Sequence, residues 1–205
     1  MNTRQICRAF SAAILAAALG TMAAACSSDD TSTNSSGVTT TEGQRASAEL
    51  PDDVNDADVT FVKGMIPHHE QAIQMSEMVI ANGDDATVIA VAEQINAAQG
   101  PEIDQMNPWL DDWDIDPAGS DGMDGMDGAN GMMSDDEMDM MSEAMGADLD
   151  RMFLETMIRH HQGAIRMAEV ELEEGSNADV LALAQGIIDG QQAEIDQMHS
   201  MLEDT

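Results

Sequence analysis

From about residue 54 onward, apolar residues recur three and four positions apart in four long runs, 54–82, 86–112, 147–174 and 178–203. Each run predicts a helix that buries one face. The runs pair: Asn82-Gly83-Asp84 separates the first two and Gly175-Ser176-Asn177 the last two, setting a glycine just past a helix end and a capping side chain near the next start. Two αα-hairpins follow, hairpin 1 over about 54–112 and hairpin 2 over about 147–203. An all-α four-helix bundle is the natural way to bury four such stripes. Pro67, beside Gly64, removes a backbone N–H and crowds the preceding turn, which predicts a kink confined to the first helix, because Arg159 stands at the matching place in hairpin 2. Between the hairpins lies a Met-, Asp- and Gly-rich linker over about 114–146, in which Ser134 to Glu137 has the form of a capping box and opens an extra turn or lengthens the third helix.

The hairpins are copies of one unit. Sliding the chain by 92 residues without a gap sets Asp58 on Asp150, Phe61 on Phe153, MIPHHEQAIQM from Met65 on MIRHHQGAIRM from Met157, and Gly83 on Gly175. Val88 then meets Val180, EIDQM from Glu102 meets EIDQM from Glu194, and Leu110 meets Leu202. Roughly two-fifths of the aligned positions are identical, so the hairpins should share one local fold about an approximate two-fold axis.

The inward stripe carries the candidate chemistry. At helical spacing Phe61, Met65, His68, Ala72, Met75 and Val79 share a face with His69 at its edge, and Phe153, Met157, His160, Ala164 and Met167 repeat it with His161 alongside. Met65, His68, His69, Met75, Met157, His160, His161 and Met167 are therefore the candidate metal ligands. On the second and fourth helices Gln99, Glu102, Met106 and Gln191, Glu194, Met198 share an inward face; the two glutamates can ligate, or can accept the free imidazole N–H and fix its tautomer. A Met stripe also fills irregular core gaps. What favours ligation is the joint pattern: a His pair follows a Met by three and four residues in both copies, and these pairs hold four of the five histidines. Which His of each pair points inward stays open. A di-iron carboxylate bundle would need Glu-x-x-His on two helices, whereas Met65 and Met157 occupy that place here. Thioether with imidazole favours copper, Cu(I) above all, over iron, magnesium or calcium, and zinc is possible through the histidines alone.

Composition sharpens this. There are 40 acidic residues against seven Lys and Arg, a formal net charge of -33, which removes nucleic acid as a partner and gives a solvated surface able to concentrate cations. The 19 methionines include Met123, Met126, Met132, Met133, Met138, Met140, Met141 and Met145 of the linker, which reads as low-complexity acidic chain or as a flexible set of thioethers that captures a cation for the bundle. No nucleotide-binding loop and no nucleophile with a nearby base is visible in the sequence.

Residues 1–25 have the form of a signal peptide, with Arg4 and Arg8 ahead of an alanine-rich apolar run that is too short for a permanent span. Ala23, Ala24, Ala25 and Cys26 resemble a bacterial lipoprotein signal with Cys26 lipidated, although Ala23 replaces the usual Leu. Residues 26–50 then form a flexible tether from a membrane anchor, or the protein is simply secreted. Cys7 would leave with the signal, so the mature domain has no thiol, and a soft metal outside the cytoplasm must be held by Met and His.

The paired motifs MIPHHEQAIQM and MIRHHQGAIRM, with the Met-rich centre and export signal, resemble bacterial domain of unknown function family 305 over about residues 54–205. That resemblance implies an exported, ferritin-like helical bundle with a copper-handling role for the Met and His residues of the two motifs. The expected function is extracytoplasmic copper binding or buffering; a ferritin-like redox enzyme and an acidic surface lipoprotein serving as an interaction module are the competing readings.

Overall fold

A computed structural model describes residues 50–117 and 130–203. The signal segment, Cys26 and the tether lie outside the described residues, as do Met123 and Met126. Five helices and no strand occur among the described residues: α1 Asp56–Asn82, α2 Ala86–Asp112, α3 Asp135–Glu143, α4 Gly146–Glu174 and α5 Ala178–Glu203. The four long helices form the two expected hairpins, and the capping box at Ser134 opens a separate short helix rather than an extension of the third long one. α1 continues through Pro67 as one helix. No described helix is long and apolar enough to cross a membrane.

Local chemistry fixes the helix starts. Asn55 caps α1 by accepting from the N–H groups of Ala57 and Asp58, while the Asp58 carboxylate accepts from Asn55 N–H at 2.7 Å. Asp85 caps α2 through Thr87, and Asn177 caps α5 through Asp179 and Val180.

The inter-helix glycines serve a different purpose from the one their position suggests. Gly83 and Gly175 have φ of -70° and -69°, so neither adopts the left-handed cap that usually selects glycine. What they supply is space. A Cβ on Gly83 would press on the Asp150 carboxylate at 2.5 Å, and one on Gly175 would collide with the Glu171 carboxyl. Each turn is instead tied down by an aspartate of the opposite hairpin. Asp150 of α4 accepts from the N–H groups of Asp84 and Asp85 at 3.0 and 2.8 Å, and Asp58 of α1 accepts from those of Ser176 and Asn177 at 3.1 and 2.9 Å. Matched residues of the repeat thus lock the hairpins to each other at both ends.

Between those ends the core has three layers. One apolar cluster joins Val79, Val88, Val91 and Ile95 near the hairpin 1 turn to Leu149, Phe153 and Met157 at the start of α4 and Met198 near the end of α5. The other joins Phe61, Val62 and Met65 at the start of α1 and Met106 and Leu110 near the end of α2 to Ala164, Ala168, Val180 and Ile187. Matched residues such as Phe61 and Phe153 fall in opposite clusters, the pattern a two-fold axis through the middle produces. Each fully buried Val, Ile, Leu, Phe or Met side chain contributes roughly 1.5–3 kcal/mol. The layer between the two clusters is polar.

Candidate metal centre

That middle layer holds His68 and His69 of α1, His160 and His161 of α4, Gln99 and Glu102 of α2, and Gln191 and Glu194 of α5. Adjacent helical residues point about 100° apart, so both members of a His pair can be buried only on a helix flanked by two neighbours. α1 packs against α2 and α4, and α4 against α1 and α5. All four histidines are at most 1% exposed as a result.

The two members of each pair divide the work. His69 Nε2 lies 2.6 Å from Glu102 Oε2 across hairpin 1, and His161 Nε2 lies 2.7 Å from Glu194 Oε2 across hairpin 2. A carboxylate only accepts, so Nε2 carries the hydrogen and Nδ1 is the nitrogen left over in the tautomer this contact selects. Both Nδ1 atoms are buried without a hydrogen-bond partner. His68 and His160 meet each other instead, ring centroids 3.7 Å apart at 38°, and His160 lies 6.4 Å from His161. His68 Nε2 donates to the Asn130 carbonyl at 3.0 Å, leaving its Nδ1 unpartnered, while neither nitrogen of His160 has a partner.

Burial lowers the pKa of His68 to about 3, against a smaller opposing effect of the Asn130 carbonyl, and burial likewise holds His160 well below its usual range. Both rings are neutral at physiological pH, the form a metal ion requires. A buried imidazole nitrogen without a partner carries the desolvation penalty of an unsatisfied polar group, on the order of 1–3 kcal/mol. Five such nitrogens occur in one layer.

The thioethers flank this layer on both sides. Met65 and Met106 are buried in one apolar cluster with the half-buried Met167 packed against it, and Met157, Met75 and Met198 are buried in the other. The structure therefore brings the four histidines together and distributes the candidate methionines above and below them, with Met167 the least enclosed. Among the described residues no three His, Cys, Asp or Glu side chains form a metal-ligand group, so a site here has to draw on other donors. Thioethers are the donors within the adjoining layers.

Two features of the layer had different visibility in the sequence. Gln99 and Gln191 were recognisable from their inward spacing, and both side-chain amides are buried with no partner on oxygen or nitrogen. The strap formed by Asn130 to Ser134 had no such signal. It crosses α4 where Gly163 lacks a side chain, since a Cβ there would overlap the Asn130 carbonyl, and it is clamped by Gln71, which donates to Met133 O at 2.9 Å and accepts from Met133 N–H at 2.8 Å. A backbone carbonyl acting on a histidine leaves no mark in residue types.

Comparisons with known proteins agree with this architecture. A DUF305 fragment from Deinococcus radiodurans superposes with a TM-score of 0.68 at 30% identity, covering 74% of this chain and 99% of that one. A DUF305 protein from Streptomyces coelicolor gives 0.67 at 32% identity, covering 72% and 91%. CopM in its Cu(I)-bound form gives 0.61 at 29% identity, covering 72% and 96%, and CopM structures with Cu(II) and with silver are also similar. An uncharacterized protein of Acanthamoeba polyphaga mimivirus is 38% identical over 55 residues, so the match spans 27% of this chain and about a third, 36%, of that protein. The model of DUF305, the domain of unknown function, matches residues 58–202, and the chain belongs to that family.

Proposed function

We propose that this protein binds and buffers copper outside the cytoplasm, holding Cu(I) with imidazole nitrogens of the buried histidine layer and thioethers beside it. The observation that carries this reading is the pair of Nδ1 atoms on His69 and His161, each buried, unpartnered and fixed in its tautomer by a glutamate. Glu102 and Glu194 act as positioning residues in this reading, because Oε2 of each is engaged with the far nitrogen of its ring. His68 and His160 offer neutral rings, so a metal ion displaces no proton from them. Met65, Met157, Met106 and Met198 supply polarizable uncharged sulfur, which suits a soft monovalent ion and competes poorly with water for hard cations; Met75 and Met167 extend the same donor set. Support from outside the chain comes from CopM, whose Cu(I), Cu(II) and silver forms share this fold at 29–30% identity. The surplus of acidic residues would raise the local cation concentration. Export by the segment 1–25 and anchorage through Cys26 complete the proposal.

Metal analysis of protein purified without chelators, followed by competition titration with Cu(I), Cu(II), Zn(II) and Fe(II), tests it. Changing Met65, Met75, Met157 and Met167 together to Leu keeps the apolar volume at a cost usually below about 1.5 kcal/mol per site. That variant should stay folded and lose most of its preference for Cu(I). A four-Leu protein that binds Cu(I) as tightly as the parent would overturn the thioether assignment.

A further inference from the structure

Three buried polar groups in hairpin 1 remain unexplained by the histidine layer alone. Ser76 Oγ, Asn96 Oδ1 and both amide atoms of Gln99 are buried without hydrogen-bond partners, with Ser76 0% and Gln99 1% exposed and Asn96 half-buried at the rim of α2. The His69–Glu102 contact sets the register of α1 against the antiparallel α2. At 1.5 Å rise per residue, Gln99 lies about 4.5 Å, Asn96 about 9 Å and Ser76 about 10.5 Å from that level, all toward the hairpin turn. They form a ladder of polar steps, with Ser76 and Asn96 outermost at nearly one level and Gln99 between them and the level of the free His69 Nδ1.

Hairpin 2 provides an internal control. Its matching positions are Ala168 for Ser76, Ile188 for Asn96 and Gln191 for Gln99, so only the innermost step is kept. The bundle accommodates apolar residues at the outer two steps there, with Ala168 fully buried. If the hairpin 1 ladder were dry, each orphaned group would cost about 1–3 kcal/mol with no gain in packing. A site lined by hydroxyl and amide groups offers a water molecule the two to four partners it needs.

We infer that Asn96, Ser76 and Gln99 line a hydrated passage through hairpin 1 by which a metal ion reaches and leaves the histidine layer, and that hairpin 2 is closed at the matching place. The inference rests on the copper reading for its cargo. The groups are neutral and hard, so they do not hold a soft ion; they let it travel with exchangeable water until imidazole and thioether replace that water. Their contribution is to rate rather than to affinity.

The test is the double variant Ser76→Ala with Asn96→Ile, which gives hairpin 1 the residues hairpin 2 already carries. Transfer of Cu(I) from a chromophoric chelator should be slowed by about tenfold or more in both directions while the equilibrium constant stays within about threefold. In the metal-free parent, NMR cross-relaxation should show a resident water at the Gln99 side-chain amide, and the variant should lose it. Unchanged transfer rates in the variant overturn the passage, as does weakened affinity at an unchanged uptake rate. A parent that takes up no Cu(I) sinks the copper reading, and the water contact then decides on its own: its absence overturns the hydrated passage.

Discussion

Hairpins 1 and 2 fold alike and share their His, Glu and Gln layer, yet they differ at the places where a third element lies against them. Hairpin 1 carries Pro67 and Gln71 where hairpin 2 has Arg159 and Gly163. The strap explains the second pair: Gln71 grips Met133 from one side, and Gly163 gives the strap room to lie on α4 from the other. Arg159 reaches Glu137 of α3 at 3.3 Å, an exposed contact of small energetic weight. The strap also distinguishes the two facing histidines, because His68 donates to Asn130 while His160 has no partner. A duplicated unit can thus keep its histidine layer and its end locks while an insertion between the copies breaks their equivalence on one side only.

The end locks offer the largest effect with which to probe this near-symmetry. Asp58 accepts from the N–H groups of Asn55, Ser176 and Asn177 and from the Ser176 hydroxyl, whereas Asp150 accepts from Asp84 and Asp85. Hydrogen bonds to a charged acceptor contribute roughly 1.5–3 kcal/mol each, with incomplete additivity. Asp58→Ala should cost on the order of 4 kcal/mol and Asp150→Ala about 3 kcal/mol in urea denaturation. Equal and small losses would mean that the turns hold themselves without the opposite hairpin.

A smaller effect is expected at the strap. Gly163→Ala places a Cβ on the Asn130 carbonyl, which forces the strap to move and should cost about 2 kcal/mol despite the better helix propensity of alanine. Gln71→Ala, at the matching position, removes two hydrogen bonds and should cost about 1–2 kcal/mol. Both changes should shift the His68 ring resonances more than those of His161. Unaltered His68 signals in Gly163→Ala would show that the strap does not depend on that crossing.

The smallest expected effect concerns Glu171, which occupies the place of Val79 and is 1% exposed. Burial first, and then the neighbouring Asp58 carboxylate, raise its pKa from the usual 4.5 to about 8. Burial opposes ionisation of Asp58 too, but the donors around it prevail and hold it ionised below its usual value. An acid whose folded pKa is raised favours the fold below its unfolded value, and that contribution is lost as pH rises toward the folded one. Stability attributable to Glu171 is therefore greatest below pH 4.5 and falls away by about pH 8. Glu171→Gln should match the parent near pH 4.5 and exceed it at pH 8 by roughly 1–2 kcal/mol, as read by thermal unfolding at several pH values. A constant difference across that range would show that Glu171 does not titrate with folding.

Much of this was legible in the residues themselves. Apolar spacing gave the four long helices to within a few residues, since an amphipathic stripe is a local property of the chain. The self-match identified the hairpins as copies and singled out the His, Glu and Gln positions of the middle layer and the Met positions beside it. Asp58 and Asp150 also stood at the start of that match, but their action on each other's turns did not show, because a cap supplied from a distant helix has no sequence spacing. The same holds for Gly83 and Gly175, which a local reading takes for left-handed caps and which the structure uses as room for a neighbour's carboxyl.

The sequence by itself determined which residues could meet a metal ion: it set two Met-x-x-His-His units on helices, excluded thiolates from the bundle, and left imidazole and thioether as the soft donors. Tertiary packing alone decided how those donors are disposed. Whether one or both histidines of a pair are buried depends on α1 and α4 each having two helical neighbours, and the choice of free nitrogen depends on a glutamate 33 residues away in the chain. Helical periodicity specifies a direction from one axis; burial, tautomer and partner are set where several axes meet.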